Sequence, residues 1–75
     1  MSRDELILRL DELLELEPGT LMGAEKLEDL EKWDSLAMVG YMALIDEHFG
    51  IQLSPRQFIN CTTVEDLLGL AKAPA

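Results

Sequence analysis

The chain reads as an all-α fold, a small antiparallel four-helix bundle with three longer helices and one short helix. Three observations carry that reading. Apolar residues recur at helical spacing in two segments, as Leu6, Ile7, Leu10, Leu13 and Leu14 and again as Met38, Met42, Ile45 and Phe49. Helix-start residues stand before four segments, at Ser2, Ser35, Ser54 and Thr62 or Thr63. No stretch alternates apolar and polar residues for long enough to compete as a strand.

Ser2 with Glu5 forms a capping-box pattern, and the apolar stripe that follows runs opposite Asp11, Glu12 and Glu15, so a first helix is predicted to end near Glu17, before Pro18 and Gly19. From there to Asp34 no period is sustained. Leu21, Leu27 and Leu30 are expected to anchor this long loop on the core, and a long ordered loop in so small a domain points to function. The second long helix is predicted from Ser35 to Phe49, with Met38, Met42, Ile45 and Phe49 as its core stripe and Gly50 as its stop. Its opposite stripe, Leu36, Gly40, Ala43 and Glu47, is a mostly small-residue surface on which a partner could lie. Ser54, Pro55 and Gln57 start a short helix carrying Phe58 and Ile59. Thr62 or Thr63 caps the last helix, with Glu65 and Asp66 at its positive end and Val64, Leu67, Leu68 and Ala71 inward.

A chain of 75 residues admits one domain, 1–75, with 72–75 read as a frayed tail. A chain this short buries only about 60% of the surface its unfolded form exposes, so the core is thin. The 15 acidic and 6 basic residues give a net charge of -9, which argues against nucleic acid and anionic membrane surfaces and for basic protein partners. Leu6 to Leu16 is interrupted by Arg9, Asp11, Glu12 and Glu15, so no signal peptide or membrane span is expected. The single cysteine, Cys61, cannot form an internal disulfide and suits a reducing, cytoplasmic setting.

Catalysis is tested first on Ser35 and His48, the one pairing that suggests a nucleophile and its base. Thirteen positions apart on one helix, they are separated by about 20 Å along the axis against a requirement of roughly 3 Å. His48 therefore reads as a solvated residue near a helix end. One His and one Cys cannot close a zinc site, no calcium loop is present, and no glycine-rich phosphate loop follows a strand, so no metal and no nucleotide is expected. Ser35 taken alone reads as an N-cap. The same position suits an attached phosphodiester, because free N–H groups and the positive end of a helix stabilise an anion.

In the Asp34-Ser35-Leu36 motif, the chain resembles the acyl carrier protein family, including the carrier domains of polyketide and nonribosomal peptide assembly lines. "IDEHFGIQLSP" from Ile45 to Pro55 and "TTVEDLLGL" from Thr62 to Leu70 extend that resemblance over nearly the whole chain. It implies a non-catalytic carrier in which Ser35 receives a phosphopantetheine arm from coenzyme A through a separate phosphopantetheinyl transferase. The arm would hold acyl intermediates as thioesters, in fatty acid, polyketide or related specialised biosynthesis. An aminoacyl or peptidyl cargo, or an unmodified helical adaptor, are the alternatives.

Under the resemblance, Asp34 and Leu36 present the serine, and Ala37, Gly40, Ala43, Asp46 and Glu47 complete the partner face. Acyl- or aminoacyl-loading and acyl-processing enzymes would meet it with basic or apolar patches, and a monomer is expected. Ala37 and Gly40 stand where fatty-acid carriers commonly have acidic residues, so docking is expected to rely less on salt-sensitive pairs. Met38, Met42, Ile45, Phe58 and Ile59 would line any acyl chain that entered the bundle. Trp33 either packs the loop onto the bundle or touches the arm.

Overall fold

In a computed structural model, which describes residues 2–71, the chain forms three α-helices: α1 (Arg3–Leu13), α2 (Ser35–Phe49) and α3 (Val64–Gly69). The all-α expectation holds, and no strand occurs among the described residues beyond one isolated antiparallel bridge between Lys26 and Thr63. Four helices with three long ones are not what forms. α3 has six residues, and the expected short helix is a 3-10 turn, Pro55–Phe58, with a second such turn at Leu27–Asp29. The cause lies in the hydrogen bonds: Ile59 donates to Arg56 and Cys61 to Phe58, three residues back, so no i−4 ladder is established. The expected tail at 72–75 lies outside the described residues.

Ser2 caps α1 as expected, its hydroxyl accepting from the Glu5 amide at 3.2 Å. The helix stops earlier than the punctuation at Pro18 suggests. Glu15 takes a left-handed conformation (φ 58), the Leu16 amide reaches back to the Asp11 carbonyl and that of Glu15 to the Glu12 carbonyl. This is a Schellman closure built on a glutamate rather than a glycine. A left-handed non-glycine residue costs roughly 1–2 kcal/mol, which tertiary contacts must offset.

Those contacts begin with Asp11. The heptad-like stripe places it among the solvated acids, but it is fully buried. One carboxylate oxygen accepts from the Gly19 amide at 2.9 Å and the other from the Leu21 amide at 3.0 Å. Closing α1 early turns the chain back over this carboxylate, whose burial is tolerated because both oxygens are hydrogen-bonded. Leu21 and Leu27 are buried and Leu30 is partly buried, so the loop is anchored as expected.

The loop then crosses to α3. The Leu27 amide donates to the Thr62 carbonyl, Val64 to Glu25 and Glu65 to Gly23. Gly23 sits at φ 121, and a β-carbon there would stand 2.7 Å from a Glu65 carboxylate oxygen, which is itself ion-paired to Arg3. Thr63 is the N-cap of α3 in a reciprocal box with Asp66, and Val64, Leu67, Leu68 and Ala71 are buried as expected.

On α2 the buried residues are Ala37, Tyr41 and Ile45, while Met38, Met42 and Phe49 are only partly buried. The expected core stripe is therefore rotated. Apolar residues occupy almost every position from Leu36 to Ile45, so periodicity alone cannot set the phase. Tyr41 sets it, because its ring fills the centre and its hydroxyl donates to the Leu67 carbonyl. Gly50 (φ 68) ends α2 as expected, its amide bonded to the Asp46 carbonyl.

Candidate functional site

The long loop ends on Trp33, which is held from below. Its ring lies 6.4 Å from Tyr41, edge-on at 75°, and 6.0 Å from Phe58, and Tyr41 and Phe58 are themselves edge-on at 6.2 Å. Trp33 therefore packs the loop onto the bundle, and the next three residues, Asp34, Ser35 and Leu36, emerge together at the surface, all exposed.

Asp34, not Ser35, is the N-cap of α2. Its carboxylate accepts from the Ala37 amide at 2.8 Å, and its carbonyl from the Met38 amide at 3.0 Å. Ser35 is the first helical residue. This corrects the N-cap expectation for Ser35, and the reason is local: Asp34 has the extended backbone (φ -130, ψ -172) that points a side chain back over the first turn. The amides of Ser35 and Leu36 stay outside the helix's own ladder.

The expected partner face is only partly formed by α2. Leu36 is 78% exposed, and Ala43, Asp46 and Glu47 are also exposed. Ala37 is buried, a correction that follows from the rotated helix. Gly40 is partly buried against α1, where a β-carbon would meet Leu13 Cδ1 at 2.7 Å. With Leu13, Ala43, Leu44, Arg9, Glu12 and Glu47 it lines a groove of about 340 Å³ between the two helices. Val39, 56% exposed, belongs to the face and is absent from the stripe read in the sequence. Placing Ser35 and Leu36 outward and following the helical repeat would have found it.

Of the residues expected to line an acyl chain, Ile45 is fully buried, and Met38, Met42 and Phe58 are partly buried. Ile59 is 79% exposed, so it corrects the expectation of an interior role; the 3-10 turn ends at Phe58 and directs the next side chain outward. Burial holds the Tyr41 hydroxyl proton well above the ordinary phenol range, so this group is a hydrogen-bond donor and not an acid. Burial, with the Asp66 charge second, also raises the Cys61 thiol, which does not suit a nucleophile. His48 is exposed at the far end of α2. No group of three or more potential metal-ligating side chains occurs among the described residues, and no described helix is long and apolar enough to cross a membrane.

These features define a helical domain that displays Ser35 on the first turn of α2, its hydroxyl not used as the cap and its chain neighbours exposed. The phosphopantetheine attachment site family matches residues 5–71, and the chain belongs to that family. No curated protein and no solved structure matches the chain. Members are carrier domains to which a phosphopantetheine group is covalently attached, and they work with a phosphopantetheinyl transferase and with processing enzymes. The residues present fit such a group. A substituent on the exposed Ser35 hydroxyl displaces no core side chain, since its chain neighbours Asp34 and Leu36 are exposed as well.

Proposed function

We propose that Ser35 is the attachment site and that residues 1–75 act as one monomeric carrier domain, transporting acyl intermediates in fatty acid, polyketide or related specialised biosynthesis in the cytoplasm. The carrying observation is the division of labour at the start of α2. Asp34 closes the first turn, so the Ser35 hydroxyl is spared for another bond while remaining exposed. When bound, the phosphopantetheine group supplies a terminal thiol on a flexible arm, to which acyl groups are joined as thioesters.

Ser35 Oγ acts as an acceptor: it would bond to the phosphorus that bears the pantetheine arm as the pyrophosphate link of coenzyme A breaks, adenosine 3′,5′-bisphosphate leaving with the bridging oxygen and the serine proton passing to a base of the transferase. This chain needs no base of its own, which agrees with the distance to His48. Asp34 holds the serine on the first turn, and Leu36, Val39 and Ala43 present an uncharged contact strip bounded by Asp46 and Glu47. A loading or processing enzyme with an apolar docking patch and a cationic margin fits that face.

Intact mass tests the attachment. Incubation with coenzyme A and a broad-specificity transferase is expected to add one phosphopantetheine, and Ser35→Ala to abolish the gain. An unchanged wild-type mass would instead favour an unmodified adaptor.

A further inference from the structure

The interior behind Ser35 is filled by the protein's own aromatic side chains, and from this we infer that the cargo stays outside the bundle and belongs to the class of short or polar acyl groups, aminoacyl groups included. The inference rests on the attachment reading given above.

Tyr41 lies six residues beyond Ser35, about 9 Å along the helix axis. It is fully buried, its hydroxyl donates to the Leu67 carbonyl, and its ring is braced edge-on by Trp33 and Phe58. An aliphatic chain sent inward between α2 and the Pro55–Phe58 turn would have to displace this cluster. Doing so would lift Tyr41 from Leu67 and leave a buried hydroxyl unpaired, while the Leu67 carbonyl would keep only the Leu70 amide, a loss that insertion of methylenes does not replace. An aliphatic residue at this position could move aside with no polar penalty; tyrosine cannot. Met38 and Met42, the adaptable side chains of α2, are only partly buried.

Two hollows elsewhere do not serve the same end. A cavity of about 270 Å³ is lined by Leu6, Leu68 and Phe49, and Phe49 lies about 21 Å from Ser35 along the axis of α2. The groove of about 340 Å³ beside Gly40 is an open surface trough bordered by Arg9, Glu12 and Glu47. A long aliphatic chain without an interior would keep its apolar area in water, whereas a short, hydroxylated or amine-bearing group exposes little.

The test compares two cargoes on the same protein. The chain is loaded at Ser35 with acetyl-phosphopantetheine or octanoyl-phosphopantetheine from the matching coenzyme A thioesters, with loading confirmed by intact mass. Hydroxylamine cleavage of the two thioesters is expected to proceed within about twofold, and the amide NMR shifts of Tyr41, Ile45 and Leu67 to coincide. Octanoyl cleavage slower by roughly tenfold, with shifts at those three amides, would overturn the inference. Tyr41→Leu is expected to confer octanoyl protection; if this variant folds and the chain remains unprotected, Tyr41 is not what closes the interior. If it does not fold, the wild-type pair decides alone. Failure to load at Ser35 defeats the attachment reading itself, while loading followed by protection defeats only the exclusion of the cargo.

Discussion

α2 and α3 begin alike and are finished differently. At each start a side chain closes on the first turn, Asp34 onto Ala37 and Thr63 onto Asp66. At α3 the next two amides are taken by the long loop, Val64 by the Glu25 carbonyl and Glu65 by that of Gly23, and the Asp66 carboxylate closes back on the amides of Thr62 and Thr63. Among the described residues nothing comparable covers α2, where Ser35 and Leu36 remain exposed. A helix of six residues is too short to persist alone and needs that cover, whereas α2, with fifteen, can leave its first turn open. The difference teaches that the start of α2 leaves room for a substituent where the start of α3 is closed over by the loop.

The largest expected effect breaks the covered start. Asp11→Ala removes the acceptor for the Gly19 and Leu21 amides, strands a buried donor and frees the loop that reaches α3. A stability loss of about 3 kcal/mol is expected by urea unfolding. Hydrogen exchange should accelerate at Val64 and Glu65 at a denaturant concentration where Met38 is still protected.

Asp34→Ala attacks the open start instead. Loss of one N-cap is expected to cost about 1 kcal/mol, with faster exchange at Ala37 and no change at Glu65. Equal acceleration at both helix starts would show that they are not independent.

A smaller, pH-dependent effect should single out the α3 side. The amides of Thr62 and Thr63 hold the Asp66 carboxyl below its ordinary range. At Glu25 burial pushes the carboxyl up, but the Gly23 and Met22 amides outweigh it and the result is also a depression. A depressed carboxyl contributes stability that is present above its unfolded value, about 4, and is lost as pH falls through the folded one. Protection of the Val64 and Glu65 amides, corrected for the pH dependence of intrinsic exchange, is therefore expected to fall on acidification below about pH 4. Insensitivity of these amides over that range would argue that the two carboxylates do not secure the loop.

Reading the chain alone recovers what depends on neighbours in sequence. Ser2, Gly50, Thr63 and Pro55 act where their local chemistry indicates, and the apolar side of α3 is correct. The same logic fails at Asp11 and Glu15, where a buried carboxylate and a left-handed glutamate end α1 through contacts that no periodicity encodes. At the site, Asp34, Ser35 and Leu36 are legible as a motif, but placing the cap on Asp34 rather than Ser35, and Ala37 in the core rather than on the outer face, required knowing the backbone and the rotation of α2.

By itself the sequence determined the helical class, the place where α2 starts and stops, and the net negative charge, because capping groups, glycine conformation and net charge act locally or without regard to fold. The tertiary structure alone decided which side of α2 is buried, how the loop closes over α3 and which side chains fill the space behind Ser35. A helix that is apolar on nearly every side can be rotated at little cost until one residue finds a partner far along the chain, and here Tyr41 found the carbonyl of Leu67.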